Sequence, residues 1–280
     1  MFSSNPFAEL SASISPIAMQ TYVVIMIILV VGGTIFDVIH KRSARYFFEN
    51  WRNARNRAKK QVGGGEMISI AVQTAAVDVL TSGEFCNARR RLAHLLTMYG
   101  FLAYVITTAI MVFWYPTPGT ATPAILTALW YIGALMVCVG GYWFWFFIRV
   151  DVAAEGNSPL RFVRADLFIV SLVLSTTFGL FWALLQLAGS TALATIFLAL
   201  YLIATTVLFG SIPWSKFSHM FFKPAAAFEK RVSRANGTAE NLPTQTRIDP
   251  EQQKRHSMEL LRNAPMHMGL GIKREAPRHY

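Results

Sequence analysis

The chain has 280 residues, of which 54% are hydrophobic, and a formal net charge of +11. Its positive mean hydropathy comes from five separated apolar stretches of about twenty residues, each long enough as a helix to cross a bilayer, which excludes an ordinary soluble globular domain. Two cysteines, Cys86 and Cys138, are too few for a disulfide framework or an iron–sulfur cluster, and no phosphate-cradling glycine loop or nucleophile elbow occurs.

In chain order, the first predicted span covers 18–38 and lacks the short apolar core and small-residue cleavage pattern of a signal peptide, so it reads as a retained signal-anchor. Asp37, His40, Lys41 and Arg42 follow at its inner boundary. Residues 41–65 read as a basic helix ending in the flexible Gly63-Gly64-Gly65, suited to anionic lipid or to an acidic partner. Residues 66–81 read as a second helix outside the bundle, too short and too polar at Gln73 and Asp78 for a sixth crossing. It would rest on the membrane surface or cover the inner mouth of the bundle, and Ser82-Gly83 would end it.

Arg89-Arg90-Arg91 precedes the second span, 94–114, and the others follow at 124–148, 166–187 and 192–212. Trp114, Trp130, Trp143 and Trp145 read as lipid-facing interface anchors or as an aromatic stripe along a cofactor site. Asp166 is expected to pair locally with Arg161 or Arg164. The tail changes character after Phe228, with Pro243, Pro250, Pro265 and Pro277 and little apolar periodicity, and reads as mobile; His256, His267 and His279 are too scattered for a metal site.

Eleven of the 26 lysines and arginines lie in 41–92, three in 149–165 and twelve from Pro213 onward, whereas the turns 115–123 and 188–191 carry no charge. By the positive-inside rule all three basic regions are cytoplasmic, with the N terminus outside and the C terminus inside. Nucleic-acid binding is not needed to explain the charge. The expected organisation is an all-α integral membrane protein: a five-helix transmembrane bundle with cytoplasmic amphipathic helices and a flexible tail. It divides into 1–40 with the first span, the basic segment 41–92, the remaining four spans in 93–224, and the tail 225–280.

The chemistry centres on His94, at the start of the second span, and His219, beyond the fifth. If the fifth helix continues past Pro213, both imidazoles reach one depth and could hold a b-type haem iron from opposite faces. Such ligation suits electron transfer because no coordination position stays open for substrate. Arg90, Arg91 or Lys216 could then meet the propionates, and Gly100 would allow close approach of a helix or of the flat cofactor. Two histidines can also sit at an interface merely because their rings tolerate it. Asp37, His40 and Tyr99 are candidates around a quinone or its proton route; an ion pair or an ordinary interfacial position is the plainer reading of Asp37. No residue reads as catalytic in its own right.

The run Arg90-Arg91-Leu92-Ala93-His94 with Tyr99-Gly100-Phe101, and the run Pro213-Trp214-Ser215-Lys216-Phe217-Ser218-His219 with Phe222-Lys223-Pro224, resemble the cytochrome b-like membrane subunits of the QmoC, DsrM and nitrate-reductase gamma group. Asp166-Leu167-Phe168 and Thr177-Phe178-Gly179 extend the resemblance, which covers mainly residues 89–224. The short chain and its basic segments look most like the AprM-type subunits associated with adenylylsulfate reductase. The resemblance implies a membrane anchor that exchanges electrons between the alpha and beta subunits of that reductase and the quinone pool, with flavin and iron–sulfur clusters on the partner. It implies His94 and His219 as one axial pair. A second pair would fall at Tyr104 and Tyr201, both tyrosine, so at most one haem b is expected. A haem-free anchor is the main alternative. A transporter is another, against which stands the lack of a clear inverted repeat.

Overall fold

The computed structural model describes residues 4–239 and Leu242, apart from 84, 86, 153–155 and 218. The predicted tail prolines and His256, His267 and His279 lie outside the described residues, as does Cys86. Among the described residues all regular structure is helical. Five helices are long and apolar enough to cross a membrane: Pro16–His40, Ala88–Trp114, Ala124–Ile148, Arg164–Leu187 and Thr191–Gly210. The chain is an all-α membrane bundle, as the hydropathy pattern requires.

The elements in order are α1 (Pro6–Leu10), α2 (Pro16–His40), α3 (Ser43–Asn56) and α4 (Gly64–Gln73), the last continuing in wider π turns over Thr74–Leu80. Then come α5 (Ala88–Trp114), α6 (Ala124–Trp143) with π turns over Phe144–Ile148, α7 (Leu167–Leu187), α8 (Thr191–Gly210) and α9 (His219–Ala235). Helices α5 to α8 form the packed body, and α2 lies against α8 and the Ile212–Trp214 turn with much of its surface uncovered.

Close packing of α5 on α6 depends on two glycines that face each other. A Cβ on Gly100 would lie 2.7 Å from the Gly133 carbonyl oxygen, and one on Gly133 would lie 2.8 Å from the Gly100 carbonyl oxygen. Gly140 repeats the device two turns on, where a Cβ would meet the Ala93 carbonyl at 2.7 Å. In lipid there is little hydrophobic gain in helix association, so backbone-close contact of this kind supplies much of it. Gly100 therefore serves a neighbouring helix, one of the two roles open to it in the sequence.

The end opposite the basic loops is closed by a short segment that hydropathy leaves unread. Asn5 caps α1 by accepting from Phe7 N and Ala8 N, and its amide donates to the Tyr115 carbonyl at 2.9 Å. Phe7 then inserts edge-on between Trp130 and Trp182, with ring centroids 5.8 and 5.3 Å away. Trp130 is fully buried and donates to Thr108 Oγ1 at 2.9 Å, and Trp145 is buried too, so neither is a lipid-facing anchor. Trp114 is exposed and fits the anchor reading.

At the basic end, Arg149 is fully buried and bonds Asp166 Oδ2 at 2.5 Å, the carbonyls of Ser158 and Arg161, and the face of Trp145 at 4.2 Å. Asp166 thus pairs with Arg149, not with the Arg161 or Arg164 side chains expected from sequence proximity. The Arg161 backbone participates instead. The reason is that α6 ends where α7 begins, and a guanidinium with five donors can tie the whole connecting loop together. Outside the bundle, α3, α4 and α9 form a cap: Trp51 stacks on Phe228 at 5.7 Å, Arg231 grips Asp78 at 2.6 and 3.0 Å, and Asn236 donates to the Ala54 carbonyl. Helix α9 carries ordered structure to Ala235, across the expected tail boundary at 225.

Replacing Gly100 by Leu should force α5 and α6 apart and cost about 1–3 kcal/mol or more, read as a lower Tm in detergent, whereas Gly32→Leu, with open space around it, should leave Tm nearly unchanged. Asp166→Ala should cost about 3–5 kcal/mol because Arg149 would stay buried and unpaired, in the same assay.

Candidate functional site

Two imidazoles come together at the basic end. His94 stands in the second turn of α5, whose start is fixed by the Asn87 side chain accepting from Arg89 N and Arg90 N. His219 opens α9. The two rings lie within electrostatic range of each other. The route differs from the expected one: the fifth span stops at Gly210 and does not continue past Pro213. Proline lacks the N–H that a continuing helix would need, so the chain makes a tight turn over Ile212–Trp214 and starts a new helix. Phe217 anchors that turn. It is buried edge-on against Phe101 and Phe168 at 6.2 and 5.4 Å.

Both rings are held through Nδ1. The Lys216 carbonyl accepts from His219 Nδ1. A carbonyl can only accept, so this nitrogen carries the proton and Nε2 keeps its lone pair. His94 Nδ1 lies 3.0 Å from Ser82 Oγ, a hydroxyl able to accept in the same way. Ser82 reaches it from a left-handed backbone conformation, φ 50°, at the end of the π turns. The sequence shows Ser82 only as a helix terminator; its contact with His94 depends on that turn and was not legible beforehand.

A cationic and aromatic surround completes the arrangement. Phe85 packs on His94 at 4.8 Å, and Arg90 and Lys223 both lie over the Phe85 ring, at 5.7 and 5.3 Å. Phe168 meets His219 edge-on at 6.0 Å. Burial lowers the His219 pKa below its usual 6.5, the nearby Lys223 and Lys216 charges lower it further, and the Lys216 carbonyl opposes the shift. Lys223 acts on both rings. It was missed as a site residue, although His219 and Lys223 stand four apart on one helix and so share a face.

The other sequence candidates divide. Arg90 sits beside His94, while Arg91 Nε is committed to the Thr81 carbonyl at 2.6 Å. Lys216 contributes its carbonyl to His219 and lies near it in charge. Asp37 is buried and pairs with Lys41 on α2, the structural ion pair, and the exposed His40 ring stacks on Phe36 of the same helix at 5.4 Å. Tyr99 donates to the Leu80 carbonyl at 2.6 Å, tying α5 to the segment that carries Ser82.

Tyr104 and Tyr201 do face one another deeper in the bundle. The Tyr104 hydroxyl and the Tyr201 ring both press on Gly179, where a Cβ would meet them at 2.7 and 3.4 Å. Trp130 lies 5.1 Å from Tyr104, and Trp182 stacks on Tyr201 at 5.7 Å. The two phenols interact electrostatically, although the Tyr104 hydroxyl completes no hydrogen bond of ordinary geometry. The approach to Gly179 is filled by these side chains. Both tyrosines also line an apolar cavity of about 480 Å³ between α2, α5 and α8 that extends to Phe217 and Met220. Among the described residues no group of three or more His, Cys, Asp or Glu side chains could hold a bare metal ion.

The sequence model of the family described as citrate utilization protein B (CitB) matches residues 23–240. The chain belongs to the CitB family. The matched region takes in the first span from residue 23, the other four spans whole, the α3–α4–α9 cap and both histidines of this CitB-family chain. No curated protein and no solved structure matches it.

Because the folded state binds a proton on His219 less readily than the unfolded chain, acid should destabilise the fold. The stability tied to the neutral ring is complete above the unfolded value of 6.5 and declines as pH falls through the lower folded value. Tm of the chain without added cofactor should therefore drop on acidification below that point, and His219→Asn should flatten the drop.

Proposed function

We propose that this chain is a membrane electron-transfer subunit that holds one haem b between His94 and His219 and links a cytoplasmic oxidoreductase to membrane quinone. The observation that carries the reading is the pair of imidazoles fixed through Nδ1 by Ser82 and the Lys216 carbonyl. That is the orientation in which Nε2 serves as a ligand and an outer partner sets its direction. The donor set fits haem iron in kind. Arg90 and Lys223, with Lys216, would supply cations for two propionates.

When bound, haem b would supply a one-electron carrier, with His94 and His219 as the residues that would hold it. The chain's residues do the rest. Ser82 and Lys216 hold the rings in place, Phe85 and Phe168 exclude water from them, and the cationic surround favours the acidic groups of a cofactor or partner. The basic helices of the cap, α3 and α9, face the cytoplasm in the topology drawn from the positive-inside rule. The apolar cavity reaching Phe217 and Met220 supports access by a lipid-soluble quinone from the bilayer side. Tyrosine at both positions where the resemblance would put a second ligand pair, Tyr104 and Tyr201, supports one haem rather than two.

Adenylylsulfate reductase as the soluble partner rests on the motif resemblance. The description of the family favours a second reading of the partner, an oxidoreductase serving citrate utilization. Affinity purification of the tagged chain from its native membrane, followed by identification of the co-purifying flavin or iron–sulfur subunits, separates the two.

The reduced-minus-oxidised spectrum and pyridine haemochrome assay of the purified chain should give one haem b per chain. His94→Ala and His219→Ala should each abolish the low-spin signal, whereas Lys223→Ala should retain haem with a shifted midpoint potential. Ser82→Ala should keep haem but loosen His94, broadening the low-spin resonance. A folded, partner-binding chain free of haem would leave the anchor role alone.

A further inference from the structure

We propose that the helix over 64–80 enters the membrane leaflet on the basic side, tip first, and presents an uncovered apolar face to lipid acyl chains. Its two faces differ sharply. Ile70 and Thr74 are buried on one side, and Asp78 on that side is bound by Arg231 of α9. On the other side Ile68, Val72, Ala76 and Leu80 stand four residues apart and are all exposed, Ile68 and Val72 by 67% and 64%. The segment's charged side chains lie off this stripe: Glu66, at the outer end, pairs with Lys60, and Asp78 faces α9.

Depth follows from what the end of the helix touches. The Leu80 carbonyl accepts from the Tyr99 hydroxyl. Tyr99 is eleven residues beyond Ala88, the start of α5, or ~16 Å along the axis at 1.5 Å per residue. Helical side chains lean back by about one turn, which still places Leu80 below the arginines at 89–91. The residues that follow lie nearer the start of α5: the Thr81 carbonyl takes Arg91 Nε, Ser82 meets His94, and Asn87 caps the helix. So the helix goes in and ends there, with the carbonyls of Leu80 and Thr81 bonded to α5 side chains. Lipid tolerates irregular backbone at that depth only when its polar groups are paired in this way.

The exposed stripe also continues a surface already committed to lipid. Leu92, Tyr99, Leu102 and Ile106 are exposed along one face of the spanning helix α5, the face to which Leu80 is tied. Acyl chains are therefore the occupant that the surroundings fit. A second copy or a soluble partner would have to reach below the arginine girdle.

The test uses the full chain, with Cys86→Ser and Cys138→Ser, in nanodiscs of phosphatidylcholine and phosphatidylglycerol. Nitroxide labels are placed through Ile68→Cys, Val72→Cys, Ala76→Cys and Leu80→Cys, with Gln61→Cys in the preceding loop as the aqueous reference. Oxygen accessibility should be high and that of a water-soluble nickel chelate low at all four stripe positions, with depth increasing from 68 to 80; position 61 should show the reverse. Nickel access along the stripe would overturn the proposal, and so would shielding from both reagents, which marks a protein cover. A second measurement needs no substitution. Carbene labelling from diazirine-bearing acyl chains should mark peptides from 68–80 to an extent comparable with 102–106 of α5, and absence of such adducts would sink the idea.

Discussion

Everything at the candidate site is referred to the contact between α5 and α6. Gly100 and Gly133 bring two backbones so close that any side chain on either would strike the opposite carbonyl. That contact sets the tilt and rotation of α5, and α5 carries His94, Tyr99 and Tyr104 at successive depths. A helix held by large interdigitating side chains could rotate by a rotamer change. One held by backbone contact cannot, so the His94 ring and the segment bonded to it inherit a fixed position.

The basic end then solves a problem that hydrophobic packing cannot. Loops and short helices there contain polar backbone and many cations close to hydrocarbon, and each needs a partner. Arg149 gathers Asp166 and two carbonyls, Arg231 takes both oxygens of Asp78, and Tyr99 and Arg91 take the carbonyls of Leu80 and Thr81. The same economy places Ser82 on His94. The histidine pair is thus embedded in a network that also holds the cap to the bundle, which couples the chemistry of the site to the attachment of the cap.

The contrast between the two expected ligand positions is instructive. At one, two imidazoles are turned by hydrogen bonds and surrounded by cations. At the other, Tyr104 and Tyr201 pack on Trp130 and Trp182 and press on Gly179, and both line the apolar cavity. Phe7 closes the same cluster from the end opposite the basic loops. Ring stacking of this kind is worth about 0.5–1.5 kcal/mol per pair beyond burial.

Hydropathy by itself determined the five spans to within a few residues, because the cost of unpaired polar groups in hydrocarbon is a property of composition and length. The charge pattern placed all the lysines and arginines at one end, and the positions of His94 and His219 at that end singled them out as the ring pair to examine. What the tertiary structure decided were the relations that depend on chain direction after a break. The stop at Gly210 and the restart at His219, the reach of Arg149 across a seventeen-residue interval to Asp166, the left-handed turn that aims Ser82, and the insertion of Phe7 are all products of packing. Periodicity reports which face of a helix is apolar; which neighbour covers that face, and which polar atom finds a partner across it, is settled only when the helices meet.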